Sequence, residues 1–548
     1  MTKGQGGRIV TWQGEGPFPE IPNVNYASYL LSNLPEHSGS SKALVDAITG
    51  NFYTYEDLLR IIPAMRNGLA ASGVRPGDKV MLITYNHIDM VPVAFAIMLL
   101  GAVCVPVNPG MTKEELRHIF GISEAKWVIS HEKVVQKVDD FFKEALSPNA
   151  LRKLWVIGEK TSTRPHVSDL MTSSAPEPKY TEGAFDAAET VALMPLSSGT
   201  TGMPKGVMLS HRNLVSTRVQ DKFMADQTPS IGLNLFESSL IFLPMYHLMG
   251  FNLTIITLFT GGRAVILPRF SPELFFRAIE EHQVTFAPVV PYVLRFLENT
   301  SHVETRDLSS LLMFGTASEY VSASTLENVT KKSGRIIVQG YGLTETSGAG
   351  SGVTPDLTDR PRCIGKFGPF FQAKVIDLQT GEILGDGQEG ELCLKGPAIM
   401  VGYANNAEAT AETIDPEGWL HTGDVVYFDE EDVFYITGRI KDLIKVKGYQ
   451  VAPAELETII KEMNGVEEVA VAGIPDKRFG EVPRAWIVPV KGATIDKEAI
   501  MKNVAARVMP YKVLAGGVEI VDSIPKNHIG KVMRRHLRQS YEAARSKL

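Results

Sequence analysis

The segment Ser197–Gly206 is the first part of the chain whose residue types suit a chemical task. It holds three glycines, four hydroxyl side chains and one lysine, directly after a predicted apolar strand. Glycines let the backbone turn tightly and aim N–H groups at one point, and the hydroxyls and the ammonium add donors suited to a polyphosphate. It is not a Walker A loop, because Gly206 follows Lys205 where that loop carries Ser or Thr. A polar surface turn is the alternative, but the position after a strand favours phosphate binding.

A second candidate is Gln339–Thr346, with the letters QGYGLTET, which is predicted to lie at a strand end. Its closely spaced glycines would let a planar ligand approach the backbone, and the ring of Tyr341 offers a stacking face. Thr344 and Glu345 supply a hydroxyl and a hard carboxylate, which are ligands that Mg²⁺ takes beside phosphate oxygens. A single glutamate in a loop would otherwise be ordinary solvated surface.

Two further segments lie towards the C-terminus. Trp419–Asp424 is predicted to place a carboxylate at a turn, where it could accept both hydroxyls of a ribose; an ordinary aspartate in a glycine turn is the alternative. Gly438–Gln450 concentrates four basic residues in a short span. Such a run is usually a solvated face, but this one coincides with a predicted junction between two domains.

The elements that must position these residues alternate between helix and strand. Tyr55–Ala71 has apolar residues at helical spacing, and short apolar runs such as 79–84 and 191–196 follow at intervals with helical segments between them. Val91–Val107 predicts a buried helix, a turn and a strand, because it is too short and too interrupted for a membrane span. The polar stretch Glu159–Glu182 predicts a surface loop. The sequence therefore predicts an α/β fold with largely buried strands.

The pattern of predicted secondary structure changes near residue 365. Short β runs predict a β-rich subdomain over about 365–437, and the last hundred or so residues predict a small α+β unit whose first helix begins at Pro453. We expect a large domain over 1–438 and a small domain over 439–548. This division follows from the 548-residue length, which exceeds what one hydrophobic core normally supports.

Composition excludes several classes of protein. A net charge of -7 over this length argues against a nucleic-acid binder held by a basic surface. Cys104, Cys363 and Cys393 lie far apart, so no disulfide framework or thiolate metal site is predicted. The sequence predicts no transmembrane segment and no secretory signal, and its last residues, Ser546, Lys547 and Leu548, predict recognition by the peroxisomal import receptor.

With a fifth segment, Pro525–Lys531, these motifs occur in the order found in a known family. The chain resembles the adenylate-forming superfamily of acyl-CoA synthetases, 4-coumarate–CoA ligases and beetle luciferases, from about Tyr53 to its last residue. The resemblance implies a large domain of two stacked sheets with helices plus the β-rich subdomain, and a small mobile C-terminal domain that rotates about Lys441. It implies ATP, Mg²⁺ and coenzyme A as cofactor and co-substrates.

The resemblance also assigns roles. Lys531 would bridge the acid's carboxylate and the α-phosphate, where a positive charge stabilises the transition state; Glu345 would bind Mg²⁺. Asp424, helped by Arg439, would hold the ribose. The small-domain face for thioester formation would carry Lys445, Lys447, Gly448 and Gln450. The remaining ATP-binding residues would be Ser197, Ser198, Gly199, Thr200, Thr201, Gly202, Lys205, Gly315, Gln339, Gly340, Tyr341, Gly342 and Thr344.

The acyl group is the least defined part of the expected reaction. The resemblance places His247 beside the carboxylate as a gate, with Met249, Phe251, Leu253 and Thr316 bordering the acyl pocket. Met249 and Leu253 lack the polar groups that 4-coumarate ligases present near the equivalent positions, which favours a fatty or other hydrophobic acid. A luciferase ranks second, because luciferases carry His-Gly-Phe-Gly where this chain has His247-Leu248-Met249-Gly250. A non-catalytic nucleotide-binding homologue ranks third, since Lys531, Glu345 and Asp424 are all present.

Overall fold

A computed structural model describes the chain over residues 7–12, 18–34, 39–145, 151–160, 164–172, 185–197, 203–227, 235–317, 321, 323–348, 350–352, 357–358, 360, 362–446, 449–476, 478–526 and 532–545. Lys531, Ser198–Gly202, Lys447, Gly448 and the terminal Ser546–Leu548 lie outside these residues. Within them, no helix is both long and apolar enough to cross a membrane.

The strands, numbered in chain order, are β1 Val10–Thr11, β2 Lys42–Asp46, β3 Phe52–Thr54, β4 Lys79–Ile83, β5 Val103–Val107, β6 Trp127–His131, β7 Lys153–Ile157, β8 Val191–Leu193, β9 Leu196–Ser197, β10 Lys205–Ser210, β11 Ser238–Ile241, β12 Arg263–Ile266, β13 Phe286–Val289, β14 Met313–Thr316, β15 Ile336–Gly342, β16 Gly350–Gly352, β17 Cys363–Phe367, β18 Gln372–Ile376, β19 Gly390–Lys395, β20 Gly402–Tyr403, β21 Leu420–Phe428, β22 Phe434–Arg439, β23 Ile444–Val446, β24 Tyr449–Val451, β25 Val466–Asp476, β26 Gly480–Pro489 and β27 Val518–Ile520.

The α-helices are α1 Tyr26–Asn33, α2 Tyr55–Ala71, α3 Met90–Leu99, α4 Lys113–Ser123, α5 Val135–Ala145, α6 His211–Gln227, α7 Leu248–Phe259, α8 Pro272–His282, α9 Pro291–Asn299, α10 His302–Thr305, α11 Ala323–Ser333, α12 Ala407–Thr413, α13 Pro453–Lys461, α14 Lys497–Arg507 and α15 Arg534–Arg545. Short 3₁₀ turns occupy Val167–Thr172, Thr344–Thr346, Ile440–Asp442 and Pro510–Lys512.

Two large sheets and one small sheet organise these elements. The first runs β1-β18-β19-β21-β22-β17-β16-β15-β14-β13-β11-β12-β2-β3, the second runs β20-β10-β8-β5-β4-β6-β7, and the third runs β24-β23-β26-β25 with β27 beside β26. The first sheet is parallel from β2 to β15 and antiparallel from β15 to β1, so the β-rich part continues the parallel half. This mixed α/β architecture confirms the predicted fold class.

The core lies between the two large sheets. Helix α3 is apolar on all sides and every one of its residues is buried, as predicted for Val91–Val107. One apolar cluster joins α2 and α3 to Val80 and Leu82 of the second sheet and to Ile241 of the first. Helix α2 begins at a capping box in which Thr54 and Asp57 bond each other's backbone N–H groups, and its bounds match the prediction.

The predicted surface loop Glu159–Glu182 differs from the structure in its described part. Residues 167–172 form a 3₁₀ turn whose Val167 and Leu170 side chains are buried in the core. Gly68 of α2 makes this approach possible, because a Cβ there would lie 2.2 Å from the Leu170 carbonyl oxygen. Because the flanking residues are polar, the sequence does not indicate that these two apolar side chains pack into the core.

His211 ties the start of α6 to α1 and makes the free energy of unfolding depend on pH. Its side chain is fully buried, and Nδ1 accepts a hydrogen bond of 2.9 Å from the Tyr26 N–H, so the ring must be neutral. Burial lowers the pKa of His211 to about 3. Because the unfolded chain binds this proton with a pKa near 6.5, stability is complete above about pH 6.5 and decreases as the pH falls towards 3.

We therefore expect the wild-type free energy of unfolding to fall by about 2 kcal/mol more than that of His211→Gln between pH 7 and pH 5. Denaturant unfolding at both pH values measures this difference. His302→Gln is the matched control, because His302 is exposed. Equal pH dependence in the wild type and His211→Gln would contradict the prediction.

Candidate active site

A cleft of about 2880 Å³ is lined by residues that lie within or next to each of the five predicted motifs. Its walls come from the large sheets and from the small sheet. The predicted residues that line it are Ser197, Lys205, His247, Met249, Leu253, Gly340, Tyr341, Gly342, Thr344, Glu345, Arg439, Lys441 and Lys445. Residues more than two hundred positions apart in the chain therefore face one space.

Asp424 lies at the centre of a hydrogen-bonded group beside the cleft. Its side chain is 1% exposed, and it accepts bonds from Arg439 Nε and, at 2.7 Å, from the Tyr341 hydroxyl. Arg439 Nη2 lies 3.2 Å from the second carboxylate oxygen. The two residues are direct neighbours in the β21–β22 pairing, so backbone register places them together.

Charge and burial act together in this group. Burial alone would lower the pKa of the Arg439 guanidinium, but the Asp424 carboxylate raises it. Burial and the same carboxylate raise the pKa of the Tyr341 hydroxyl well above 10. Tyr341 and Arg439 line the cleft and hold the buried carboxylate of Asp424 next to it, with its charge balanced by the Arg439 guanidinium.

One sequence-based placement needs correction here. The sequence predicts Asp424 at a turn, but it lies inside strand β21, where it pairs with Arg439 of β22 and the backbone stays extended. The motif Gln339–Thr346 does lie at a strand end, because β15 ends at Gly342. Its glycines Gly340 and Gly342 remain in the strand, since β16 pairs antiparallel with them.

Glu345 forms a second group with Tyr403 and Lys205. Its Oε1 accepts a 2.9 Å bond from the Tyr403 hydroxyl, and Lys205 Nζ lies 4.6 Å from the centre of the Tyr403 ring. Burial and Glu345 raise the pKa of Tyr403 above its usual value. The second carboxylate oxygen has no hydrogen-bond partner among the described residues, so Glu345 fits a hard cation such as Mg²⁺.

The described residues of the glycine-rich segment are Ser197 and Met203–Gly206. Ser197 in β9 pairs antiparallel with Lys205 in β10, and both residues line the cleft. This pairing holds Lys205 beside the start of the segment.

The basic segment after Arg439 contains a 3₁₀ turn at Ile440–Asp442 and the hairpin β23–β24. Lys445 pairs with Gln450 across this hairpin, and its N–H donates to Glu481 Oε2 at 3.0 Å. The other oxygen of Glu481 accepts a 2.6 Å bond from Arg538. Lys441 and Lys445 thus belong to the small-sheet wall of the cleft.

The residues predicted to border the acyl pocket lie in three places. His247 precedes helix α7 and its ring lies 4.8 Å from that of Tyr246, at the cleft wall with Met249 and Leu253. Phe251 turns away, is buried and stacks on Phe95 with ring centres 6.3 Å apart. Thr316, Gly315 and Gln339 occupy the adjacent strands β14 and β15, where Thr316 pairs with Gln339.

The structure adds residues that the sequence did not single out. Tyr403 contacts Glu345, while Arg218 is 3% exposed, lies 2.9 Å from Asp221 and has an Nη1 without a hydrogen-bond partner in the described part. Asn252 donates to the Ser347 carbonyl at 2.7 Å, and its oxygen has no such partner there. Burial raises the pKa of Asp221. In the sequence, this ion pair is indicated only by the three-residue spacing of Arg218 and Asp221, which places both on one face of a helix.

Comparison with known proteins identifies the family to which this architecture belongs. Residues 34–404 match the model of the AMP-binding enzyme family, and residues 455–531 match that of the AMP-binding enzyme C-terminal domain. The fold and the cleft therefore define an AMP-forming ligase of the adenylate-forming superfamily. The chain belongs to the AMP-binding enzyme family.

Individual relatives span nearly the whole chain. It is 35% identical to luciferin 4-monooxygenase of Photinus pyralis over 91% of this chain and 90% of that protein. It is 34% identical to peroxisomal OPC-8:0-CoA ligase 1 of Arabidopsis thaliana over 95% and 94%. The crystal structure of ATP-bound MatB from Rhodopseudomonas palustris superimposes with a TM-score of 0.83 at 28% identity, covering 95% of this chain and 99% of that one.

Proposed function

We propose that the protein is an ATP-dependent acid–CoA ligase that activates a hydrophobic carboxylic acid as an acyl-adenylate and then forms the acyl-CoA thioester. The Asp424 group carries this proposal, because a buried carboxylate fixed by Arg439 and Tyr341 at a cleft wall suits the two hydroxyls of a ribose. The same cleft also reaches Glu345, Lys205 and Lys445.

In the first step, a carboxylate oxygen of the acid attacks the α-phosphorus of ATP, and pyrophosphate leaves with the electron pair of the broken P–O bond. Lys531 would offset the repulsion between the carboxylate and the phosphates, and Lys205 and the glycine-rich turn would hold the β- and γ-phosphates. Mg²⁺, held by Glu345 together with phosphate oxygens, would supply further charge neutralisation.

In the second step, the sulfur of coenzyme A attacks the carbonyl carbon of the acyl-adenylate, AMP leaves, and the thiol proton passes to solvent. We propose that residues 439–548 rotate about Lys441 between the steps, which removes Lys531 and brings the Lys445 face to the acyl group. The bonds that Lys445 and Arg538 make to Glu481 would then move with this unit as one surface.

The acid is proposed from the walls of the cleft. Met249 and Leu253 are apolar, which favours a fatty or aryl acid, while Arg218 and Asn252 add polar atoms to the same cleft. A panel for testing should therefore pair each plain acid with its hydroxylated analogue. Acid-dependent pyrophosphate release, measured with and without coenzyme A and with detection of the thioester, tests the proposal. Release with no thioester from any acid would contradict a CoA ligase.

A luciferase is the second candidate, because relatives named luciferin 4-monooxygenase are as similar in sequence as those named CoA ligases. A luciferase would adenylate luciferin and pass the adenylate to O₂. Light emission with ATP, Mg²⁺ and luciferin, in the absence of thioester formation, would favour that candidate over the ligase.

Peroxisomal import is proposed from the tripeptide Ser546–Leu548, which acts as a peroxisomal address where it ends a protein, and from the peroxisomal relative in Arabidopsis thaliana. Removing the tripeptide should redistribute the full-length protein from peroxisomes to the surrounding cytosol in imaged cells.

Lys445→Ala is expected to slow thioester formation from supplied acyl-AMP by about 10-fold or more, because a misplaced thiol or acyl group loses its attack geometry. Pyrophosphate release should stay near the wild-type rate. Lys491→Ala is the matched control, because Lys491 is an exposed lysine of the same unit that does not line the cleft. Equal loss of both half-reactions in Lys445→Ala would contradict the assignment.

A further inference from the structure

Strand β21 contains a bulge at Thr422–Asp424. Glu391 pairs with Val425 and Cys393 pairs with His421, so the single residue Leu392 of β19 faces these three residues of β21. Within the bulge, Gly423 has φ +69°, in the left-handed region that side chains with a Cβ rarely adopt. A bulge bends its strand and re-aims the side chains in it, which here include Asp424.

Glu391 holds the bulge closed with both of its carboxylate oxygens. Oε1 accepts a 3.0 Å bond from the Gly423 N–H, and Oε2 lies 3.0 Å from His421 Nδ1. The side chain of Glu391 is 14% exposed, so these bonds are largely shielded from water. One carboxylate of the neighbouring strand thus fixes His421 and Gly423, the residues immediately before and after Thr422.

Thr422 completes the connection to Asp424. Its hydroxyl donates to the Leu392 carbonyl at 2.8 Å and accepts from the Asp424 N–H at 3.1 Å. The extra residues of the bulge therefore satisfy their backbone groups through side chains instead of the ladder. The conformation of Asp424 depends on this network as well as on its own partners, Arg439 and Tyr341.

The charges around His421 favour its protonated form. Cys393 Sγ lies 3.6 Å from Nδ1, and Asp415 Oδ2 lies 3.7 Å from Nε2. Hydrogen bonds with Cys393 and Glu391 raise the pKa of His421 to about 10. The ring is then a cation that completes an ion pair with Glu391, and replacing Glu391 by Gln removes the charge of that pair and leaves one acceptor oxygen where Gly423 and His421 now share two.

From this geometry we propose that Glu391, through its bonds to Gly423 and His421, is a positioning residue that aims Asp424 at the ribose and sets the preference for ribonucleotide over deoxyribonucleotide. The inference rests on the proposed function in taking ATP as the nucleotide and Asp424 as the residue that holds its ribose. Glu391 itself borders the cleft, and the proposed role is exerted through the shape of strand β21.

The test compares the binding of ATP, 2′-deoxyATP and 3′-deoxyATP to the full-length protein by calorimetry, which requires no knowledge of the acid. The wild type should bind ATP about 10-fold or more tightly than either deoxynucleotide, because one hydrogen bond to a charged group is lost. In Glu391→Gln this preference should fall to within about 3-fold, through weaker ATP binding with little change for the deoxynucleotides.

Gly423→Ala is a second variant for the same prediction. A Cβ at Gly423 meets no atom within 4 Å, so the change acts on the backbone conformation without overpacking, and the preference should fall in the same way. Glu389→Gln is the matched control, because it removes an exposed carboxylate two residues away and should keep the wild-type preference. The melting temperature of each variant reports its folding.

A merely structural role predicts a different result. If Glu391→Gln and Gly423→Ala weaken all three nucleotides by the same factor, or weaken none, the positioning role is wrong. If the wild type binds ATP with the ribose preference but releases no pyrophosphate with any acid, the proposed function fails while this inference stands. If the wild type does not bind ATP, both are wrong.

Discussion

Lys531→Ala is expected to slow acid-dependent pyrophosphate release by about 100- to 1000-fold, which corresponds to the loss of one preorganised charge at the transition state. The same variant should convert supplied acyl-AMP to thioester at close to the wild-type rate, because in the proposed second step Lys445, and not Lys531, lies at the acyl group. Single-turnover measurements of pyrophosphate and of thioester separate the two effects.

The control for this variant is Lys526→Ala. Lys526 lies in the same segment, Pro525–Lys531, and is paired with both oxygens of Glu468 at 2.6 Å, so its charge is already engaged. Its removal should leave pyrophosphate release within a few-fold of the wild type. If Lys531→Ala reduced the two half-reactions equally, rotation of the small domain between two working positions would be the wrong account.

Asp424→Asn is expected to reduce kcat/KM for ATP by about 30- to 1000-fold, equivalent to roughly 2–4 kcal/mol. The amide keeps the size of the carboxylate but loses the charge that balances Arg439, whose side chain is only 27% exposed. It also loses one acceptor for the Tyr341 hydroxyl and the ribose. Unlike Lys531→Ala, this variant should lower the melting temperature, because a partly buried guanidinium remains without its partner.

Asp429→Asn is the control for charge removal in the same sheet. Asp429 pairs with Arg360 and accepts a bond from Tyr435, and it lies outside the cleft. It should change the melting temperature slightly and kcat/KM for ATP very little. A normal kcat/KM in Asp424→Asn would show that Asp424 supports the fold without holding the nucleotide.

Local patterns in the sequence predicted much of the fold, because each signal had a local physical cause. The helix Tyr55–Ala71 has a capping box at its start, and Val91–Val107 is apolar enough to be buried on all sides. Pro453 occupies the first turn of α13, where its missing N–H costs nothing. The short 3₁₀ turn at residues 167–172 was missed, because two apolar residues in a polar stretch give no period to read.

Sequence motifs name candidate residues of the cleft one by one, but they do not predict how those residues are arranged. Asp424 and Tyr341 could be named from their motifs, yet their strands and their mutual hydrogen bond depend on pairing between distant segments. Glu391, Tyr403 and Arg218 gave no signal alone, because their importance comes from the atoms they meet across the fold. The interaction of Glu391 with Gly423 requires the register of β19 against β21, which no local pattern encodes.

The most direct test of adenylation follows the acid's own oxygen. The enzyme is supplied with a carboxylic acid labelled with ¹⁸O in its carboxylate, together with ATP, Mg²⁺ and coenzyme A. The ¹⁸O content of AMP, pyrophosphate and orthophosphate is then measured by mass spectrometry. Attack of the carboxylate on the α-phosphorus predicts one ¹⁸O atom in AMP and none in pyrophosphate. Label in orthophosphate, or AMP formed without label, would contradict an acyl-adenylate intermediate.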